Sequence, residues 1–252
     1  MIVQFEPIAT VSSPFTNKFG IPRQPGLVTE AIAEIKLLPP YNIAEAVAGL
    51  ELSSHIWVEF IFHQSTDSTG DNFRPSVRPP RLGGNKRMGV FATRSPVRPN
   101  GLGLSVVKLE KIIIDNGVSL IVSGLDLLNG TPVVDIKPYV PYADCINHAV
   151  NSFAASEPNT LPVSFSQAAI AFCDHYLAPN DVDLQRLIEQ ILAQDPRPQY
   201  QKPDPERRYG INLYELDIHF YYRHCLNNPA NWAIEVSDIM SGRATQITPV
   251  DP

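Results

Sequence analysis

Arginine, glycine and proline crowd one segment of this sequence: Arg78-Pro79-Pro80-Arg81-Leu82-Gly83-Gly84-Asn85-Lys86-Arg87-Met88-Gly89-Val90-Phe91-Ala92-Thr93-Arg94-Ser95-Pro96-Val97-Arg98-Pro99-Asn100. Each arginine offers a planar fork of donors that matches carboxylate or phosphate. Gly83-Gly84 lets backbone come close to a ligand. The prolines stiffen the stretch without ladder bonds. Seven positive charges, Arg74, Arg78, Arg81, Lys86, Arg87, Arg94 and Arg98, fall between 74 and 98 with no Asp or Glu among them. Such a segment suits the grip of a polyanion, and a nucleic-acid backbone is one. A solvated basic loop is the plainer alternative.

Four shorter stretches carry polar groups at strand ends or turns, where sites on β-folds collect their residues. They are Pro22-Arg23-Gln24-Pro25-Gly26, His63-Gln64, Asp126-Leu127-Leu128-Asn129-Gly130-Thr131-Pro132, and Asp135-Ile136-Lys137-Pro138-Tyr139. His63 and Asp135 are candidates for accepting a proton. Taken singly, each stretch also reads as an ordinary turn.

The elements that must position these residues read as strands over the first 145 residues or so. Extended segments are expected at 5–11, 32–38, 55–62, 88–93, 104–114, 118–125 and 133–139. The segment 55–62 is nearly all apolar, as for a strand buried on both sides. Asp115-Asn116-Gly117 marks a hairpin turn, and a short helix is expected at 43–50 with Asn42 as its cap. Six or seven short strands with little helix predict a mainly β fold, a small single-sheet antiparallel barrel. The composition changes at 151–159, as for a linker. Beyond it, helices at 167–177 and 182–194, capped by Ser166 and Asp181, precede a strand at 211–223 and another near 232–237. The strand at 211–223 would carry Tyr214, Leu216, Ile218, Phe220 and Tyr222 on one face. The expected organisation is a barrel domain at 1–148 and a small α+β C-terminal domain at 160–252.

Composition bounds the function. Apolar residues make up 44% of 252, enough for real cores. The 24 prolines argue against a helix bundle. The net charge of -6 alone speaks against nucleic acid, so the basic segment matters because it is local. Cys145, Cys173 and Cys225 are widely spaced, which suggests a reducing compartment. The N-terminus lacks the features of a signal peptide, and no apolar run approaches a membrane span. A cytoplasmic protein is expected.

The stretches PRQPGLV (22–28), FHQ (62–64), RPPRLGGNKRMGVFATRSPVRPNGLGLS (78–105), LDLLNGTPVVDIKPYVPYAD (125–144) and AQDPRPQY (193–200) together resemble the TsaA-like family. The likeness is closest to that family's bacterial tRNA methyltransferases. It is strong over about 5–145 and weaker over 160–225. The resemblance implies a β-barrel that binds S-adenosylmethionine, outside the Rossmann fold; consistently, Gly101-Leu102-Gly103 breaks off short of GxGxxG. It implies a homodimer and no metal, since a sulfonium is already a good leaving group. The cofactor contacts it implies are Pro22, Arg23, Gln24, His63, Gln64, Arg94, Leu104, and the loop Asp126, Leu127, Leu128, Asn129, Gly130 and Thr131. The family often has an acid before the glycine; here Asn129 stands there. The 65–73 loop looks longer than usual.

The implied substrate is N6-threonylcarbamoyladenosine at position 37 of threonine-decoding tRNAs. Its urea-type N–H is acidic enough for a modest base such as His63 or Asp135. The base already lies in a single-stranded anticodon loop, so presenting it should cost little. Arg74, Arg78, Arg81, Lys86, Arg87 and Arg98 would hold phosphates. Arg197 and Tyr200 could touch RNA or clamp the two domains together. Three other readings remain open. The first is a non-enzymatic RNA-binding barrel. The second is a methyltransferase acting on another RNA or on a small molecule. The third is a zinc protein using Cys173, His175, His219, His224 or Cys225, though their spacing lacks paired ligands.

Overall fold

The computed structural model describes residues 3–65, 72–79, 86–198, 200–225 and 228–242. Six strands close an antiparallel barrel: β1 (Ala9–Ser12), β2 (Ala33–Leu37), β3 (His55–Ile61), β6 (Leu102–Ile114), β7 (Val118–Ser123) and β8 (Pro132–Pro138). A two-stranded ribbon, β4 (Ser76–Val77) with β5 (Met88–Gly89), lies between β3 and β6 in the chain. The barrel order is β1-β2-β7-β6-β3-β8. Alternation drives closure, because every second side chain must leave water. Ile35, Ile56, Val58, Val107, Leu120, Val122 and Val133 fill the interior.

The register puts one group of chain ends at one mouth. Ser12 pairs with Glu34, Ala33 with Val122, Ile61 with Leu102, and Thr10 with Pro132. So the connections 13–32, 62–101 and 124–131 all leave from the same rim. The tight turn at Asn116-Gly117 and the β2–β3 link close the other end. Asn116 and Gly117 take positive φ there, 51° and 129°, which Asn and Gly tolerate best.

After a short helix α1 (Pro141–Asp144), the chain builds a second layer. Strands β9 (Val163–Phe165), β10 (Tyr209–Leu213), β11 (Leu216–Cys225) and β12 (Asn228–Ser241) form a sheet of order β10-β11-β12-β9. Two helices accompany it, α2 (Gln167–His175) and α3 (Leu184–Ala193). Helix α3 buries Leu184, Leu187, Ile188, Ile191 and Leu192 in this second core. Phe15, Val28 and Ala31, from the first mouth connection, belong to the same core. Phe15 bridges to Leu213, and Tyr214 N–H donates to Pro14 O at 2.7 Å.

Several expectations are corrected. The strand expected at 5–11 begins only at Ala9. β3 is not buried on both sides: Ile56, Val58 and Phe60 are inside, while Trp57, Glu59 and Ile61 lie on a half-covered outer face. The segment 43–50 forms two 3-10 turns, Ala44–Val47 and Leu50–Leu52, interrupted by Gly49 at φ 88°. Asn42 packs on Gly117 and caps neither. The strand expected at 88–93 is only Met88–Gly89, followed by a 3-10 turn. Asp183, not Asp181, caps α3 by accepting from Arg186 N–H at 3.0 Å. Ser166 does cap α2. The long strand at 211–223 is two strands joined at Tyr214-Glu215, because Tyr214 takes φ 54°. Among the described residues, no helix is long and apolar enough to cross a membrane.

Gly103 is a packing requirement of the mouth. A Cβ there would stand 2.3 Å from Phe60 Cζ, and the Phe60 ring is itself wedged edge-on against Phe62 at 5.0 Å. Gly103→Ala is expected to destabilise by about 1–3 kcal/mol, read as a lower Tm in thermal unfolding. Adding Phe60→Leu to make room should recover part of the loss.

Candidate functional site

The mouth brings three of the expected cofactor contacts together. Arg94 Nη1 donates to Gln24 Oε1 at 2.5 Å, so the basic segment is tied to the Pro22-Arg23-Gln24 loop. The Arg94 charge also acts on Asp126. Ser105 Oγ donates to Asp126 Oδ1 at 2.6 Å from a position facing the barrel interior. Burial pushes the Asp126 carboxyl up to about 6, against the opposing pull of Ser105, its own backbone N–H and Arg94. A carboxyl shifted into the working pH range, with a cation acting on it at the barrel mouth, makes Asp126 a candidate functional residue. Ser105 is a residue that sequence reasoning missed. Its signal was a small polar side chain at an inward position of an apolar strand.

The other expected contacts are held in different ways. Pro22 is buried. Arg23 Nη2 reaches the carbonyls of Asp195 and Arg197, each at 3.5 Å. Gly26 N–H donates to Gly124 O at 2.8 Å, and this joins the first and third mouth connections. Within the loop after β7, Leu127 and Leu128 are buried, and Thr131 Oγ1 closes the turn on Leu128 O at 2.6 Å. Asn129 Oδ1 accepts from Ser13 N–H at 3.1 Å. Gly130 turns the chain at φ 78°. This loop therefore offers Asp126 and backbone, its other side chains being occupied in holding it. His63 is exposed at the rim, and the carbonyl of Gln64 accepts from Lys18 Nζ at 2.5 Å.

Leu104 and Asp135 lie elsewhere. Both flank Glu59 on the outside of the barrel, the face opposite Ser105. Asp135 pairs with Lys137, which also binds Glu59 at 2.7 Å. The structure does not bring Asp135 to Asp126 and Arg94. Among the charges expected to meet RNA, Arg74, Arg78, Lys86 and Arg87 are exposed. Arg98 Nη1 donates to Thr93 O at 3.1 Å and braces its own loop. Arg81 lies outside the described residues.

Arg197 is a clamp. It binds Asp195 Oδ2 at 2.9 Å, donates to Gln201 O, and lies 5.4 Å over the Tyr222 ring with only 13% of its side chain exposed. Tyr222 donates to Asp195 Oδ1 at 2.7 Å. Tyr200 stays exposed. The histidines and cysteines considered for zinc are dispersed: His219 pairs with Asp217, His224 stacks on Trp232, and His175 meets Ala171 O. Among the described residues, no group of three or more His, Cys, Asp or Glu could share a metal.

Comparison with known proteins places this geometry. The family model described as the tRNA-methyltransferase O N-terminal domain matches residues 10–145, and the TrmO C-terminal domain matches 158–239. The chain belongs to the TrmO family. A tRNA (adenine(37)-N6)-methyltransferase of Escherichia coli K12 is 46% identical over 218 residues, covering 85% of this chain and 91% of that protein. A Pseudomonas aeruginosa protein, put forward by its name RcsF as an S-adenosylmethionine-dependent methyltransferase, is 48% identical, covering 94% and 97%. The crystal structure of TrmO from Pseudomonas aeruginosa superposes with a TM-score of 0.78 at 40% identity, covering 95% of this chain and 99% of that one. The TrmO barrel and its C-terminal layer are thus both present here.

The shifted carboxyl has a measurable consequence. Folding raises the Asp126 pKa from 3.8 to about 6, so folding favours the protonated form. The resulting cost to stability is absent well below about pH 4 and is full above about pH 6. Asp126→Asn should therefore unfold at a higher Tm than the parent at pH 8, with the gap closing toward pH 4. Arg94→Ala should move the Asp126 titration upward, followed by carboxyl-carbon NMR.

Proposed function

We propose that this TrmO-family chain methylates N6 of N6-threonylcarbamoyladenosine at position 37 of tRNA, using S-adenosylmethionine. The observation that carries the reading is the raised Asp126 carboxyl set beside Arg94 and Gln24 at a mouth from which a cationic segment extends. The names of the Escherichia coli and Pseudomonas aeruginosa relatives support the same chemistry.

The residues present fit the cofactor's charges. Arg94 suits its carboxylate through a forked pair. Asp126 suits its ammonium or ribose, and a cation there would favour the ionised carboxyl. Gln24 orients the Arg94 fork. When bound, S-adenosylmethionine supplies an electrophilic methyl group on a sulfonium. The protein's task is then to hold N6 in line and to keep a proton acceptor near it. His63, exposed at the rim, is the candidate acceptor. Asp135 is the second, with Lys137 already holding its charge. Arg74, Arg78, Lys86 and Arg87 would meet the phosphates of an anticodon loop.

The assembly in this reading is a homodimer working in the cytoplasm. Its support is apolar: Leu104 is exposed on the outer barrel face, Tyr142 of α1 stands in water, and so do Ile146 and Val150 after it. Asp144 ties that segment back to Trp57 on the same face, accepting from its indole N–H at 2.9 Å.

The test is methyl transfer from labelled S-adenosylmethionine to tRNA bearing the threonylcarbamoyl group. The expected result is a methylated nucleoside by mass spectrometry, absent with tRNA that lacks that group. Arg94→Ala should weaken cofactor binding by roughly 10- to 100-fold, the scale of one hydrogen bond to a charged group. Wild-type protein that binds tRNA but neither binds nor consumes the cofactor would overturn the proposal in favour of a non-enzymatic RNA-binding barrel.

A further inference from the structure

Two phenylalanines interrupt the cationic segment and face water. Phe91 is 74% exposed and Phe73 is 42% exposed. Their rings lie nearly parallel, 26° apart with centroids at 6.5 Å, so each covers the other only in part. A single exposed apolar side chain is ordinary; two aromatic rings held side by side in solvent within reach of several cations form a patch.

The surrounding chain holds this pair in place. Val90, beside Phe91, is buried, and its N–H donates to Pro75 O at 3.0 Å. Ser76 pairs with Gly89 and Val77 with Met88. Thr93 closes the turn over Phe91, its hydroxyl donating to Val90 O at 2.9 Å. Phe91 is three residues from Arg94, a span of roughly 10 Å at most, and Arg94 is bound to Gln24 beside Asp126. Arg74 follows Phe73, and Lys86 and Arg87 precede Phe91, all exposed. No acid lies between 74 and 98.

We infer that Phe73 and Phe91 form a stacking platform for an unpaired base of the RNA substrate, neighbouring the one that enters the mouth. The inference rests on the reading that the substrate is tRNA. An aromatic face flanked by cations is the recurrent way to hold single-stranded nucleic acid, because bases stack while phosphates meet the charges. A second copy of the chain is the disfavoured occupant, since it would bring seven like charges of its own segment to the same interface.

The test compares Phe91→Ala and Phe91→Trp with the parent protein. Stacking of one base predicts that Phe91→Ala weakens binding of tRNA, and of an anticodon stem-loop oligonucleotide, by about 5- to 100-fold. KM for tRNA should rise, while the cofactor Kd and the Tm stay at parent values. Phe91→Trp should retain affinity, and its added fluorescence should be quenched by the oligonucleotide. Parent-like RNA affinity in Phe91→Ala overturns the inference. So does a halved molar mass in Phe91→Ala, which would assign the pair to a subunit interface. Failure of the parent protein to methylate tRNA is a different outcome: it overturns the functional reading and this inference with it.

Discussion

Residues 13–32 leave the barrel to bury side chains in the second core, and the geometry of the mouth depends on that. The segment leaves the barrel mouth after β1, buries Phe15, Val28 and Ala31 in the second core, and returns to start β2. Side chains anchored by hydrophobic burial at both ends of a loop leave it little freedom. Pro22, Arg23 and Gln24 lie between these anchors. On one side Arg23 meets the carbonyls of Asp195 and Arg197; on the other Gln24 receives Arg94. The order of this loop is therefore set by packing in the second core.

The barrel itself was readable because period two is a strong signal when one face must be dry. Ile35, Ile56, Val58, Leu120 and Val122 announce their strands. The hairpin at Asn116-Gly117 was readable for a different reason, the positive φ both residues adopt. Apolar outer residues misled at β3, since Trp57 and Ile61 look like core and lie outside it. Leu50 and Val47 suggested one helix, but Gly49 in the left-handed region breaks it. Long-range contacts were not readable: Asn17 meets Asn212 across 195 positions. Among site residues, the stretches that form the rim could be picked out by type. Their roles could not. The Asp126 shift comes from what surrounds it, and Leu104 and Asp135 fall on the outer face because of register alone.

The position of Asp126 is a stability liability kept at a site. A carboxylate crowded from water, with Ser105, its own backbone N–H and the Arg94 charge offsetting only part of the loss, opposes folding once the pH rises above its unfolded-state pKa. Strain of this kind is expected where a ligand completes the electrostatics that the protein leaves unfinished. Ser105 and Arg94 offset only part of the cost. A cationic ligand beside Asp126 would supply the rest. The net charge of -6 opposes polyanions over most of the surface. The proposed function needs one cationic place for RNA, and the segment 74–98, which contains Arg94, would supply it.

The clamp at Arg197 sharpens the same argument. An arginine in a Pro-Arg-Pro context invites an RNA role, yet this one is spent on Asp195, Gln201 and the Tyr222 ring. Breaking it would leave a desolvated carboxylate and guanidinium, each costly when unpaired. Its product is a fixed pair of carbonyls, those of Asp195 and Arg197, aimed at Arg23. Asp195 holds φ 49° to present them. The C-terminal layer thus contributes to the mouth through backbone dipoles held by a half-buried ion pair. In the proposed function, RNA contact would fall to residues that remain in solvent, Tyr200 in that layer and the cations of the segment beside Arg94.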